Sequence, residues 1–354
     1  MTAQTAPAPV KEPEKSAPEK RSWWRVDSTE GLWRNLALVA VLVILVIAGI
    51  ITRPDLYGDG EWVRRNIFTI LELASVIGVV TVGMTFVIIG GGIDLSVGAI
   101  IALAGVWSTT VATQEFGAAG MIFCAIAVGI GVGLVNGILI AYGRLVAFIA
   151  TLAMLVAARG LAAQISGKQT QVSGNSFING LAANDFLGIP ILVIMLAVVV
   201  AAGWVLLNRT TFGRRTVAVG GNVEAARLAG INVKRHTLLL YALSGLCCGI
   251  AAIMLTSQST SAQAAMANLY ELDAIAAAII GGTLLSGGRG TIIGSVLGVL
   301  VFSTITNLFA INDVPSEVQN MVKGGIIVAA VLIQQIQFKS VSQFFNKNNK
   351  LTTS

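Results

Sequence analysis

Six polar side chains lie in or beside long apolar runs, where a polar group is costly unless it has a partner or a function. A charge at the centre of a bilayer costs about 2.5–3.5 kcal/mol on insertion scales, so such residues tend to face a cavity or another polar group. Neutral donors and acceptors in that setting can bind the hydroxyl groups of an uncharged solute. The candidates for a translocation path are Asp94, Ser96, Asn136, Thr151, Arg159 and Asn307.

Acidic residues near the apolar runs have alternative roles. Asp94 lies between two such runs, flanked by glycines and Ser96, so it either caps the helix that follows or lines the path. Glu72 and Asp273 lie near the starts of apolar runs, and we expect their carboxylates to reach the membrane interface.

The chain carries none of the sequence patterns that indicate an enzyme. It has no Walker A motif, no serine elbow and no convincing carboxylate pair. The single histidine, His236, cannot form a metal site, and Cys124, Cys247 and Cys248 lie in apolar segments as packing residues. We therefore predict no catalytic residue, no metal and no cofactor. If transport uses ATP, a separate chain hydrolyses it.

The segment 208–235 is the longest interior loop predicted to be cytoplasmic, and it contains a short helix. Asn222 is a good N-cap, Glu224 suits the positive end of a helix, and Gly230 is a natural stop. About two turns of helix are unstable alone in water, so this helix needs a docking surface. It is either a simple connection or a coupling helix that fits a groove on an ATPase. The coupling residues would be Asn222, Glu224, Ala225, Ala226, Arg227, Leu228 and Gly230.

Membrane-spanning helices must position these side chains. Of 354 residues, 55% are hydrophobic and 11% are charged, whereas a soluble domain carries roughly a quarter charged residues. Apolar runs near the roughly 20 residues that cross a bilayer follow one another along the chain. The prediction is an all-α, polytopic membrane helical bundle of about ten transmembrane helices, at 34–51, 66–90, 95–113, 118–141, 145–164, 187–207, 236–257, 272–286, 291–310 and 319–336.

The flanking segments and the charges predict domains and orientation. Residues 1–33 form a disordered tail, 34–336 the transmembrane domain, and 337–354 a second tail. With ten spans and the N-terminus inside, 17 of the 23 Lys and Arg residues fall on the cytoplasmic side, as the positive-inside rule requires. Both termini are therefore predicted to be cytoplasmic. The net charge of +6 reflects this asymmetry and does not indicate nucleic-acid binding.

Glycines repeat at every fourth position within several predicted spans. Small residues at that spacing let helix backbones approach closely, so we expect a compact bundle. The residues are Gly129, Gly133 and Gly137; Gly245 and Gly249; and Gly294 and Gly298. In addition, the glycine-rich segment 91–98 is similar to 281–288, which is typical of transporters built from repeated halves.

Four segments, in order, resemble the permeases of ribose/xylose/arabinose-type ABC importers. They are 83–98, which contains Gly-Ile-Asp-Leu-Ser-Val-Gly, then 220–231, then 271–283, and then 287–291, within a resemblance that covers about 66–335. The resemblance implies a permease domain in the bacterial inner membrane that imports a monosaccharide. It also implies a homodimer, a cytoplasmic ABC ATPase and an external sugar-binding protein.

Three alternative functions remain. A permease for nucleosides or branched-chain amino acids shares parts of the glycine pattern. An ion-coupled secondary transporter is expected to place several ionisable groups deep in its spans and has no need of a capped helix in a basic loop. A structural or receptor membrane protein is disfavoured by the glycine density and by the small soluble portion.

Overall fold

The computed structural model describes residues 28–332, and within that range the chain is almost entirely helical. Seven of the described helices are long and apolar enough to cross a membrane. They are α1 (Ser28–Thr52), α3 (Gly60–Ile89), α6 (Gly117–Ala141), α7 (Ala147–Ile165), α9 (Ile191–Arg209), α12 (Val233–Ser259) and α14 (Ile292–Ile311). Helices satisfy every backbone hydrogen bond internally, which is why apolar runs adopt them in lipid.

The remaining elements within residues 28–332 are shorter, and the last of them, α15, is described only up to residue 332. The helices are α2 (Pro54–Tyr57), α4 (Val97–Ser108), α5 (Val111–Gln114), α8 (Ser176–Ala183), α10 (Thr211–Gly221), α11 (Val223–Leu228), α13 (Tyr270–Ile280) and α15 (316–332). In the same part of the chain, four two-residue strands form two antiparallel pairs. Strand β1 (Gln171–Val172) pairs with β4 (Ser261–Ala262), and β2 (Asp185–Phe186) pairs with β3 (Ile189–Pro190).

Two predicted spans, 95–113 and 272–286, correspond to short helices. Helix α4 has 12 residues and α13 has 11, so at 1.5 Å per residue they extend only about 18 and 16 Å, against a hydrocarbon core of about 30 Å. Neither helix crosses a membrane by itself, and the count of ten spans is not confirmed.

The predicted tails lie mostly outside the described residues. Helix α1 begins at Ser28, so residues 28–33 are helical although the sequence predicts a tail up to 33. The apolar pair Leu32-Trp33 continues the α1 pattern toward the N-terminus, which accounts for the earlier start. Residues 1–27 and 333–354 are outside the part of the chain that the structure describes.

The predicted glycine contacts are confirmed. A Cβ atom at Gly129 would overlap the carbonyl oxygen of Gly245, and one at Gly133 would overlap that of Tyr241. Helices α6 and α12 therefore touch backbone to backbone. Gly294 meets the Gly281 carbonyl in the same way, and Gly298 meets that of Ala277, which brings α14 against α13.

The bundle has an interior and an exterior that are both apolar. Helix α4 is almost completely buried between α6, α7 and α12, and the C-terminal half of α3 is buried as well. Large apolar side chains are exposed along α1, α6 and α7, including Ile44, Phe123 and Val156. An exposed apolar surface of this extent requires lipid or another apolar partner.

Candidate functional site

Buried polar side chains gather at the break between α3 and α4. Helix α3 ends at Ile89, and Gly91 has a φ of +84°, a conformation that lets the chain leave the helix. The non-helical residues that follow include Asp94, and α4 begins directly after Ser96. The predicted interruption is therefore present, and it lies inside the bundle.

Asp94 is completely buried and accepts three hydrogen bonds. Its Oδ1 accepts from the Ser96 backbone N–H at 3.0 Å and from Ser96 Oγ at 2.5 Å, while its Oδ2 accepts from Ser244 Oγ at 3.1 Å. The first two bonds shape the turn into α4, which is close to the predicted capping role. The third ties this turn to α12.

Asn136 and Thr151 surround the same break. Asn136 Nδ2 donates to Ser96 Oγ at 2.8 Å, and the Thr151 hydroxyl lies 3.5 Å from the Ile93 carbonyl oxygen. Tyr241 also donates to that carbonyl, at 3.2 Å. We call the buried residues Asp94, Ser96, Asn136 and Ser244 the Asp94 network. It joins the α3–α4 break to α6 and α12. Its member Ser244 and the neighbouring Tyr241 are the residues at this break that the sequence did not reveal.

The other two path candidates lie elsewhere. Arg159 Nη1 donates to the backbone carbonyls of Ala264 and Met266, at 2.7 and 3.2 Å, and so holds the segment before α13. Asn307 Nδ2 donates to Asn66 Oδ1 at 2.9 Å, which links α14 to α3. The structure therefore gathers four of the six candidates at one break and leaves two apart.

Asp273 forms a buried ion pair. Its side chain is buried, and Lys323 Nζ from α15 lies 3.2 Å from its Oδ2. Removing one partner of a buried ion pair leaves an uncompensated charge, at a cost of about 3–5 kcal/mol. This pair therefore fastens α13 to α15. Glu72 lies within α3 and is partly exposed.

The second candidate site is the short helix α11, which forms as predicted. Asn222 Oδ1 accepts from the Ala225 N–H at 2.9 Å, and Gly230 ends the turn with a φ of +81°. Glu224 and Arg227 share one face and form an ion pair at 2.9 Å. The segment 208–235 also contains α10, which the sequence did not predict.

Not all of the predicted coupling residues of α11 are exposed. Ala226 is only 3% exposed and packs within this chain, so it does not belong to a docking surface. Leu228 is 80% exposed, and Val223 is also exposed. Exposed apolar residues on a short, capped helix favour a contact with another protein, so Leu228 and Val223 are the candidate docking residues of α11.

A backbone contact connects α10 to the two glycine-rich segments. A Cβ atom at Gly220 would overlap the Ile89 carbonyl oxygen and lie 2.7 Å from the Gly288 nitrogen. The Gly288 N–H donates to the same Ile89 oxygen at 2.8 Å. A Cβ atom at Gly91 would lie 3.7 Å from the Gly220 Cα. Segments 91–98 and 281–288, which are similar in sequence, therefore both contact α10 at Gly220.

Replacing Asp94 tests whether its network stabilises the fold. Asp94→Ala leaves three donors without an acceptor, each costing about 1–3 kcal/mol, so we expect a large fall in the thermal midpoint of the detergent-solubilised protein. Asp94→Asn keeps the shape of the side chain and one acceptor oxygen, so its thermal midpoint should fall less. Asp55 is exposed, and Asp55→Ala is the control. Equal midpoints for Asp94→Ala and Asp55→Ala would contradict the assigned role.

These features define a class of protein. Long apolar helices packed through glycines, an apolar exterior and a buried polar break together describe a polytopic membrane transport protein. The chain belongs to the family described as "branched-chain amino acid transport system / permease component", whose model matches residues 66–331. It is a transport permease subunit and not an enzyme, and it is a multi-pass protein of the bacterial inner membrane.

Individual relatives match nearly their whole length. The chain is 40% identical over 312 residues to the ribose import permease protein RbsC of Bacillus subtilis, covering 86% of this chain and 94% of the relative. It is 37% identical over 311 residues to the L-arabinose ABC transporter permease protein AraH of Azospirillum brasilense, covering 86% and 89%. It is 32% identical over 343 residues to the galactofuranose transporter permease protein YtfT of Escherichia coli, covering 96% and 98%. No solved structure matches.

The comparisons confirm the resemblance seen in the sequence, which was to ABC permeases of the ribose, xylose and arabinose type. Relatives of this kind are permease components of sugar importers, which favours the sugar-importer interpretation over the amino-acid, nucleoside and ion-coupled alternatives.

Proposed function

We propose that this chain is the translocation subunit of an ATP-driven importer for a monosaccharide. Similarity over most of its length to permeases named for ribose, arabinose and galactofuranose carries the proposal. These three substrates are all neutral polyhydroxy compounds. The composition of the α3–α4 break agrees with the same substrate class, because the side chains bonded around Asp94 carry neutral hydroxyl and amide groups.

The proposed energy source is a separate ABC ATPase that docks on α11. Membership of the permease family implies such a partner, and it also implies an external substrate-binding protein. The capped helix with Leu228 exposed offers a surface for the ATPase. The proposed active unit is a homodimer of this chain, so that each copy presents one α11 to one ATPase domain.

The proposed path follows the break between α3 and α4. Asp94, Ser96, Asn136 and Thr151 are wholly buried within one chain, which supports a role in holding the wall of the path. Arg159 and Asn307 remain proposed members, since Arg159 Nε and Asn307 Oδ1 are buried without a hydrogen-bond partner in the described structure. Such atoms are available to a hydroxyl group when the path opens.

The proposed topology has about ten crossings and both termini in the cytoplasm. In this arrangement α4 and α13, with the non-helical segments beside them, complete two of the crossings. Segments 1–33 and 337–354 would be cytoplasmic tails flanking the permease domain 34–336, and 208–235 would face the cytoplasm as the coupling loop.

Cysteine labelling tests this orientation. Leu187 is 88% exposed at the tip of the β2–β3 hairpin, and Leu228 is 80% exposed on α11. In intact cells a membrane-impermeant thiol reagent should modify Leu187→Cys and should not modify Leu228→Cys until the membrane is permeabilised. Labelling of Leu228→Cys in intact cells would overturn the orientation. Wild-type protein, with Cys247 and Cys248 buried, gives the background signal.

Co-purification tests the proposed energy source. The chain purified alone should hydrolyse no ATP. Expressed with an ABC ATPase and a sugar-binding protein encoded beside it, the chain should retain the ATPase on an affinity column, and sugar-loaded binding protein should stimulate hydrolysis. Sugar uptake by this chain alone, driven by a proton gradient, would overturn the proposal.

A further inference from the structure

A basic cavity lies beside α10, at the edge of the bundle and apart from the Asp94 network. Its volume is about 270 Å³. One face of α10 lines it with Thr211, Arg214, Arg215 and Ala218, and the connection 229–231 forms the opposite side. These four α10 positions follow helical spacing, so both guanidinium groups lie on the cavity side of the helix.

The two arginines have no anionic partner among the described residues. Neither the Arg214 nor the Arg215 guanidinium makes a hydrogen bond or an ion pair within 28–332, and both are exposed. Glu224, the one acidic residue of segment 208–235, pairs with Arg227. The cavity therefore has a strong local excess of positive charge and is suited to an anion.

Two aromatic side chains indicate that the cavity lies at the level of lipid headgroups. The Arg209 guanidinium lies 5.4 Å from the ring centre of Trp204, and Lys234 Nζ lies 5.7 Å from that of Tyr142. Both aromatic residues stand at the ends of long apolar helices, where Trp and Tyr typically mark the interface.

The position of α10 is fixed relative to the level of the lipid headgroups. A Cβ atom at Gly213 would overlap the Leu207 carbonyl oxygen, so α10 folds back directly on the end of α9. Phe212 packs against Phe86 and His236, and the Thr216 hydroxyl lies 3.0 Å from His236 Nε2. The apolar face of α10 is thus buried in the bundle, which leaves the face with Arg214 and Arg215 directed outward.

We propose that this cavity binds the phosphate group of an anionic lipid such as phosphatidylglycerol. Guanidinium groups bind phosphate oxygens through paired, charge-assisted hydrogen bonds. Basic pockets on the cytoplasmic side of membrane proteins take anionic headgroups, and each basic residue near the surface adds to the attraction. The inference rests on the proposed orientation of 208–235 but not on the identity of the transported substrate.

The site would connect the membrane surface to the candidate coupling region. Helix α10 carries the arginines in its N-terminal half, while Gly220, near its C-terminal end, contacts Ile89 and Gly288. A bound headgroup would hold α10 against the membrane and so fix the position of α11.

Lipid retention by the full-length protein tests the proposal. The protein is purified in mild detergent, titrated with phosphatidylglycerol or phosphatidylcholine, and examined by native mass spectrometry. We expect Arg214→Gln with Arg215→Gln to weaken phosphatidylglycerol binding by roughly tenfold or more. Arg64 and Arg65 are exposed at the opposite end of α3. Arg64→Gln with Arg65→Gln therefore removes the same charge and should retain wild-type binding.

Further measurements decide between ligands. Wild-type protein should retain phosphatidylglycerol over phosphatidylcholine, and millimolar inorganic phosphate should not displace it. Displacement by inorganic phosphate would assign the cavity to a soluble anion and would overturn the proposal of a bound lipid. Unchanged lipid binding in the Arg214/Arg215 variant, with loss of ATPase co-purification, would overturn the proposal in favour of an ATPase contact. A wild-type thermal midpoint for the variant shows that any loss of lipid is not unfolding.

Discussion

Replacing Gly133 by leucine is expected to prevent accumulation of folded protein, while the same change at Gly131 is expected to be tolerated. The two glycines lie two positions apart on α6, so they share helix propensity and membrane depth. A Cβ atom at Gly133 would overlap the Tyr241 carbonyl oxygen and lie 3.2 Å from the Gly245 Cα. A Cβ atom at Gly131 meets nothing within 4 Å.

The size of the effect follows from what blocks the new side chain. Overpacking a core costs about 1–3 kcal/mol when side chains can move aside. Here the obstacle is the backbone of α12, so the two helices must separate, and the close contacts at Gly129 and Gly137 are lost as well. We therefore expect Gly133→Leu to aggregate on extraction, and even Gly133→Ala to lower the thermal midpoint.

Fluorescence-detected size-exclusion chromatography of tagged variants measures this directly. Wild type and Gly131→Leu should give one symmetrical peak, and Gly133→Leu should appear in the void volume or be degraded. A monodisperse Gly133→Leu peak with a wild-type thermal midpoint would show that α6 and α12 are not in backbone contact.

Replacing Leu228 by aspartate is expected to abolish coupling without harming the fold. Leu228 is 80% exposed, so a charge there costs this chain little. If the side chain fills a pocket on the ATPase, its loss should cost at least about 2 kcal/mol of binding, or roughly 30-fold in affinity. We expect normal membrane insertion and thermal midpoint, with ATPase co-purification or sugar-stimulated hydrolysis reduced to background.

Leu187→Asp is the matched control for this prediction. It places the same charge on an equally exposed leucine, at the tip of the β2–β3 hairpin, and it should leave ATPase binding unchanged. Ala226→Trp is not a suitable test, because Ala226 is buried and bulk there would disturb α10 and α11 themselves. Glu224→Lys should weaken coupling too, partly by breaking the pair with Arg227. Wild-type coupling in Leu228→Asp would place the ATPase contact elsewhere.

The long helices could be predicted from the sequence because hydropathy and helix length are linked in a membrane. The predicted spans 118–141 and 145–164 correspond closely to α6 (Gly117–Ala141) and α7 (Ala147–Ile165). The short helices α4 and α13 could not be predicted from the sequence, since the apolar pattern continues through the glycine-rich segments beside them. Hydropathy reports burial, and it does not show where a buried chain stops being helical.

The site was predictable where contacts are local. Asn222 and Gly230 could be assigned because a helix cap depends on residues three or four apart, and the structure has both. The bond from Ser244 to Asp94 joins residues 150 apart in sequence, and no spacing rule reveals such a pair. For the same reason the burial of Ala226, which depends on packing within the folded segment, was not visible in the sequence.

Sugar uptake by reconstituted vesicles tests the central claim most directly. Proteoliposomes would contain this chain and its ATPase with ATP trapped inside, and the binding protein loaded with radiolabelled ribose would be added outside. We expect uptake to require all three proteins and hydrolysable ATP, and we expect excess leucine or adenosine not to inhibit it. Ribose entry without the ATPase would contradict the proposed function. So would ATP-driven uptake of leucine or adenosine, instead of ribose, when a binding protein for that solute is supplied.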